Sequence, residues 1–115
     1  MFHTIGKIIQ PDTLTELFTV PAGYKTKVST LFASNRQGNN KFVSMYWQQA
    51  HNIDHKIYII TNYILNANNY VQFSDSMVMQ SGDSIQVLTE ADSLMNVMAS
   101  FDLYKEAPTA AFAGE

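Results

Sequence analysis

A chain of 115 residues and 13.0 kDa, 46% hydrophobic and 15% charged, is sized for one folded core and is too apolar for a mostly disordered segment. Seven Lys and Arg against ten Asp and Glu leave a formal charge of -3 with no basic stripe, so nucleic acid is not an expected partner; the lack of cysteine removes disulfides, thiolate metal sites and cysteine nucleophiles. Met1 to Gln10 carries Lys7 within it and lacks the charged start and long apolar run of a signal peptide. The apolar run Ile57 to Ile60 falls far short of the about 20 residues a transmembrane helix needs, so no membrane partner is expected.

Strands are expected at 3–9, 14–20, 26–34, 41–49, 55–61, 69–73, 77–80, 84–89 and 94–104, runs rich in the branched and aromatic residues that suit a pleated, half-buried surface. Turn residues separate them at Pro11-Asp12, Pro21-Ala22-Gly23, Gly38-Asn39-Asn40, Asn66 to Asn69, Ser81-Gly82-Asp83 and Glu90-Ala91-Asp92, a cadence that suits a sandwich or barrel. In the fourth strand Val43, Met45 and Trp47 share one side while Phe42, Ser44, Tyr46 and Gln48 share the other, so both faces carry aromatic surface and both should meet something. The last strand is the most regular: Met95, Val97, Ala99, Phe101 and Leu103 alternate with Asn96, Met98, Ser100 and Asp102, predicting one core face and one largely wet face. Val97, Phe101, Ile85 and Ile57 are the expected core. No stretch sustains helical spacing with caps. The fold class is therefore all-β, an antiparallel, jelly-roll-like β-sandwich in a single domain over 1–106, with a strand or arm at 1–13 and a flexible tail over 107–115.

The residue types that carry chemistry are present without the spacing that would use them. His51 and His55 stand four apart, a metal-binding interval on a helix, but His55 enters a predicted strand and His51 has no Glu beside it; ordinary loop and edge histidines are the reading, and no metal or cofactor is expected. Asp54, Asp75, Asp83, Asp92 and Asp102 fall at turns and strand faces, where Asp caps backbone N–H groups. Ser81 to Ser84 reads Ser-Gly-Asp-Ser, not a Gly-x-Ser-x-Gly elbow, and no catalytic residue is assigned. Tyr24, Tyr46, Trp47, Tyr58, Tyr63 and Tyr70 could line a subunit interface or a sugar-stacking platform, since such rings give large contact area at low entropic cost.

Between Leu14 and Lys105 the order Thr19-Val20-Pro21-Ala22-Gly23, Ser34-Asn35 with Gly38-Asn39, Ser81-Gly82-Asp83-Ser84-Ile85-Gln86-Val87, and Asn96 to Tyr104 resembles that of small β-sandwich virion proteins of tailed bacteriophages, the capsid decoration or cement proteins and related neck or tail accessory proteins. Met1 to Thr13 and Ala107 to Glu115 depart from that pattern. The resemblance implies a non-enzymatic structural protein located in the virion, binding the major capsid protein or other virion proteins as a homo-oligomer, a trimer being favoured. A neck or tail accessory protein and a host-glycan-binding module are the alternatives. The expected interface residues are Phe2, Tyr46, Trp47, Tyr104 and Phe112, with Phe2 and Phe112 as apolar anchors on arms that reach a neighbouring subunit.

Overall fold

The computed structural model describes residues 2–50, 56–74 and 76–105; nothing is described of the Phe2 side chain. Nine strands follow in chain order: β1 (Phe2–Ile9), β2 (Thr15–Thr19), β3 (Tyr24–Asn35), β4 (Lys41–Gln48), β5 (Lys56–Leu65), β6 (Tyr70–Phe73), β7 (Met77–Met79), β8 (Ser84–Thr89) and β9 (Met95–Lys105). Each expected strand forms, and the described residues contain no helix. The fifth runs to Leu65, beyond its expected end at 61, because a bulge absorbs Thr61 and Asn62 without ending the pairing.

All pairings are antiparallel. Sheet one runs β1-β9-β3-β6, with β7 also on β3, and sheet two runs β2-β8-β4-β5. β6 pairs with Leu31 to Ser34 and β7 with Thr26 to Val28, so the two are successive halves of one interrupted strand along β3. Counting them as one gives eight strands in two facing four-stranded sheets, the jelly roll. The break between β6 and β7 lies beside the bulge of β3 at Ser29, whose hydroxyl donates to the Ser100 carbonyl at 3.1 Å. Residues 2–9 are thus a strand of sheet one, paired along their whole length with β9.

The core lies between the sheets. Val28, Leu31, Ala33, Met95, Val97, Ala99 and Phe101 face in from sheet one, and Leu17, Val43, Met45, Ile85 and Val87 from sheet two, all buried. Of the four expected core residues Val97, Phe101 and Ile85 are buried, whereas Ile57 on the outermost strand of sheet two is only half-buried. Phe18 and Phe101 stack across the sheets at 4.6 Å.

The turns close two opposite ends. At the first, Asn35 is buried and its carboxamide N–H2 donates to the carbonyls of Asn39 at 2.9 Å and Leu65 at 3.1 Å while its oxygen accepts from the Gln37 amide at 3.0 Å. At the second, which also holds Phe2 and Lys105, the turns at 20–23 and 80–83 are joined by bonds from the Val20 amide to the Asp83 carbonyl (2.8 Å) and from the Gly82 amide to the Val20 carbonyl (2.9 Å).

Candidate assembly surface

An open sheet edge offers unpaired N–H and C=O groups to any passing strand. Sparse prolines and lysines in the sequence suggest open edges here, but the fold blunts them by other means. β2 is bulged between Glu16 and Phe18, which turns Leu17 and Phe18 inward together. β5 slips register twice against β4, and at one slip Asn62 takes a left-handed φ of 47° with its amide donating to Ser44 Oγ at 2.8 Å. The opposite edge of sheet one is divided between β6 and β7. Only β1 keeps an unbroken register, and its inward row holds a charge: Lys7 stands opposite the buried Val97, and its ammonium crosses to sheet two to donate to the Glu16 carbonyl at 2.7 Å.

Of the five residues expected at an interface, Tyr46, Trp47 and Tyr104 have described side chains, and these three lie on different faces. Tyr46 and Trp47 are adjacent on β4 and face opposite ways. Tyr46, on the outer face of sheet two, is 9% exposed; Tyr58 packs edge-on against its ring at 4.6 Å and the Lys56 ammonium sits 5.7 Å from the ring centroid. The Trp47 ring packs on the core and its indole N–H donates to Asp83 Oδ2 at 3.0 Å. Both faces of β4 do meet other groups, but the groups belong to the same chain. Tyr104 is 46% exposed on the outer face of sheet one near the second end, where Phe2 pairs with Asp102. Phe112 lies outside the described residues.

The surface that the sequence reading missed is the outer face of sheet one. Cross-strand partners share a face, so the outward phase of β9 aligns two rows: Gly6, Met98, Phe32 and Gln72, then Ile8, Asn96, Ser34 and Tyr70. Gly6 leaves a notch beside Met98. With Ile8, 75% exposed, on one side and Phe32 on the other, it makes a shallow apolar groove of about 440 Å³ running to Arg36. Tyr70, 60% exposed, stacks on Phe32 at 5.4 Å and lines a second hollow of about 460 Å³ with Asn68 and Asn69, which shares Phe32, Ser34 and Arg36 with the groove. The half of the face nearer the second end is charged, with Lys27 opposite Asp102 and Lys25 opposite Tyr104. Two signals for the groove stood in the sequence: a glycine inside an apolar strand, which marks close approach of other groups, and Met98 in the otherwise polar phase of β9.

The residues with catalytic potential serve the fold. His3 lies over the Phe101 ring at 5.6 Å. Asp83, buried, accepts from the Gln80 and Ala50 amides, each at 2.9 Å, as well as from Trp47. Asp12 and Asp92 take left-handed φ values of 54° and 59° at their turns. Among the described residues no three of His, Asp and Glu gather as metal ligands; His51, Asp54, His55 and Asp75 lie outside them.

No family model and no curated protein matches the chain. Solved structures share its fold, among them the following two. A chain of the T13 particle of infectious bursal disease virus superposes with a TM-score of 0.59 at 10% identity over 90% of this chain; the present chain spans 30% of that viral chain. A subunit of Bacillus endospore appendages, described as a family of disulfide-linked pili, superposes with a TM-score of 0.54 at 9% identity over 93% of this chain and 87% of the appendage chain.

Proposed function

We propose that this protein is a non-enzymatic structural protein of a virus particle and, within that class, a capsid decoration or cement protein of a tailed bacteriophage that binds the major capsid protein or other virion proteins. The observation that carries the reading is the outer face of sheet one. It sets an apolar patch, with Ile8 and Tyr70 exposed and Met98 and Phe32 half-buried between them, on a jelly roll whose Asp83 carboxylate and Trp47 indole are spent on its own turns. Exposed apolar patches on such a scaffold mark sites of protein contact. Two of the solved structures that share the fold are components of large assemblies, a virus particle and a pilus. Cross-linking of the kind named for the pili is closed to a chain with no cysteine, so cohesion here rests on packed surfaces. Many modest contacts repeated over a lattice add by avidity, and a cyclic oligomer, a trimer in our reading, would multiply them again.

Quantitative mass spectrometry of purified particles tests the assignment. On the order of hundreds of copies per particle is the expected result for a symmetric capsid lattice. About a dozen or fewer would move the protein to the neck or tail, where assemblies are small rings. Absence from particles would reject a virion role.

A further inference from the structure

We infer that the groove between Ile8 and Phe32 is the receptor for the segment around Phe112 of a second copy of this chain, an inference that rests on the structural reading above and names the contact it uses.

The groove has the chemistry of a socket for one aromatic ring beside one carboxylate. Its floor is Met98 and the bare backbone of Gly6, its walls are Ile8 and Phe32, and its far lip is Arg36. Arg36 is exposed, and no carboxylate among the described residues pairs with it. The chain holds a segment of matching composition. Beyond Lys105 it reads Glu-Ala-Pro-Thr-Ala-Ala-Phe-Ala-Gly-Glu, where Phe112 is flanked only by small residues and Glu115 follows three positions later. Arg36 follows Phe32 by four positions, about 13 Å along extended chain, and an extended Phe112 to Glu115 step spans about 10 Å. A ring seated in the notch beside Gly6 therefore brings the Glu115 carboxylate to the guanidinium. The small neighbours let backbone lie against the sheet.

Reach assigns the segment to another copy. Lys105 is at the second end of the sandwich, and Met98 lies seven residues back along β9, about 23 Å. Phe112 is also seven residues from Lys105, but returning along its own sheet requires a reversal that consumes about two residues. The remaining five span about 17 Å and fall short. A neighbour's segment needs no reversal. The donor leaves one copy at the second end and the socket lies toward the first end of the next, so the contact is heterologous and generates a ring, or an open row if the rotation does not close.

Gly6 supplies a clean test. A Cβ placed there would meet only the Val97 carbonyl oxygen at 3.8 Å, an ordinary contact, so Gly6→Leu fills the notch without disturbing the strand. Sedimentation velocity of the full-length chain over a concentration series should show self-association that Gly6→Leu and Phe112→Ala each weaken by about tenfold or more. The two variants mixed should form a one-to-one heterodimer and nothing larger, since only the Phe112→Ala copy keeps a socket and only the Gly6→Leu copy keeps a plug. Recovery on mixing also excludes misfolding as the cause of either loss. A monomeric wild type, association that neither variant alters, or a mixture that stays monomeric would each overturn the inference. Any of those results could coexist with abundant protein in purified particles, so the virion assignment stands or falls separately.

Discussion

The indole N–H of Trp47 and the carboxylate of Asp83 meet at 3.0 Å although 36 positions separate them in the chain. The same carboxylate takes the amides of Ala50 and Gln80, so one buried side chain ties the end of β4 to the turn that opens β8. Replacing Asp83 with Ala would take the shared buried acceptor from three part-buried donors and should cost about 2–4 kcal/mol. Trp47→Phe removes a single donor and keeps most of the ring; its cost should stay near about 1–2 kcal/mol. Urea melts of the two variants would reveal the ranking, and equal losses would show that the corner is held by something other than this carboxylate.

Phe101 joins the inward row of β9 to sheet two through its stack on Phe18 and carries His3 on its other side. Truncation to Ala opens a ring-sized cavity between the sheets and should lower stability by about 3–5 kcal/mol. A denaturant midpoint that moves by less than the equivalent of about 1 kcal/mol would contradict the packing described.

Two glycines with nearly equal backbone angles should answer differently to alanine. At Gly23 (φ +81°) an added methyl would have nothing within 4 Å, while at Gly82 (φ +84°) it would stand 2.8 Å from the Ala50 side chain. Gly23→Ala should cost the left-handed backbone penalty alone, about 1–2 kcal/mol. Gly82→Ala adds a clash to that and should be clearly worse by thermal melting.

Lys7 guards the one edge with unbroken register. Lys7→Val would improve β-propensity and apolar content on β1 while removing the bond to the Glu16 carbonyl. Static light scattering should therefore show faster aggregation at raised temperature with little change in the folded-state spectrum. A variant as clear as wild type would mean the edge is protected in another way.

What could be read from the chain was what local chemistry controls. Turn residues and period-two alternation placed the nine strands, and the alternation of Met95 to Leu103 gave the inward face of β9 correctly. Bulges escaped because they depend on the partner strand: Asn62 reads as a break but is held in place by Ser44 from β4. The same limit applies to the surroundings of Tyr46 and Trp47. Aromatic rings at Tyr46 and Trp47 look available in isolation, and only the register of β4 with β5 and the position of Asp83 show them engaged. Gly6, Ile8, Phe32 and Met98 come from three strands, so the groove exists only once β1, β9 and β3 are side by side.

Phe2 and Asp102 sit directly opposite one another at the end of an eight-residue antiparallel ladder. Tension applied between residues 2 and 105 would open that ladder like a zipper, loading one rung at a time, where a shear geometry would load all of them together. Such a protein yields easily when pulled by its two ends. A load applied to the broad faces of its sheets would instead be spread over many side chains at once.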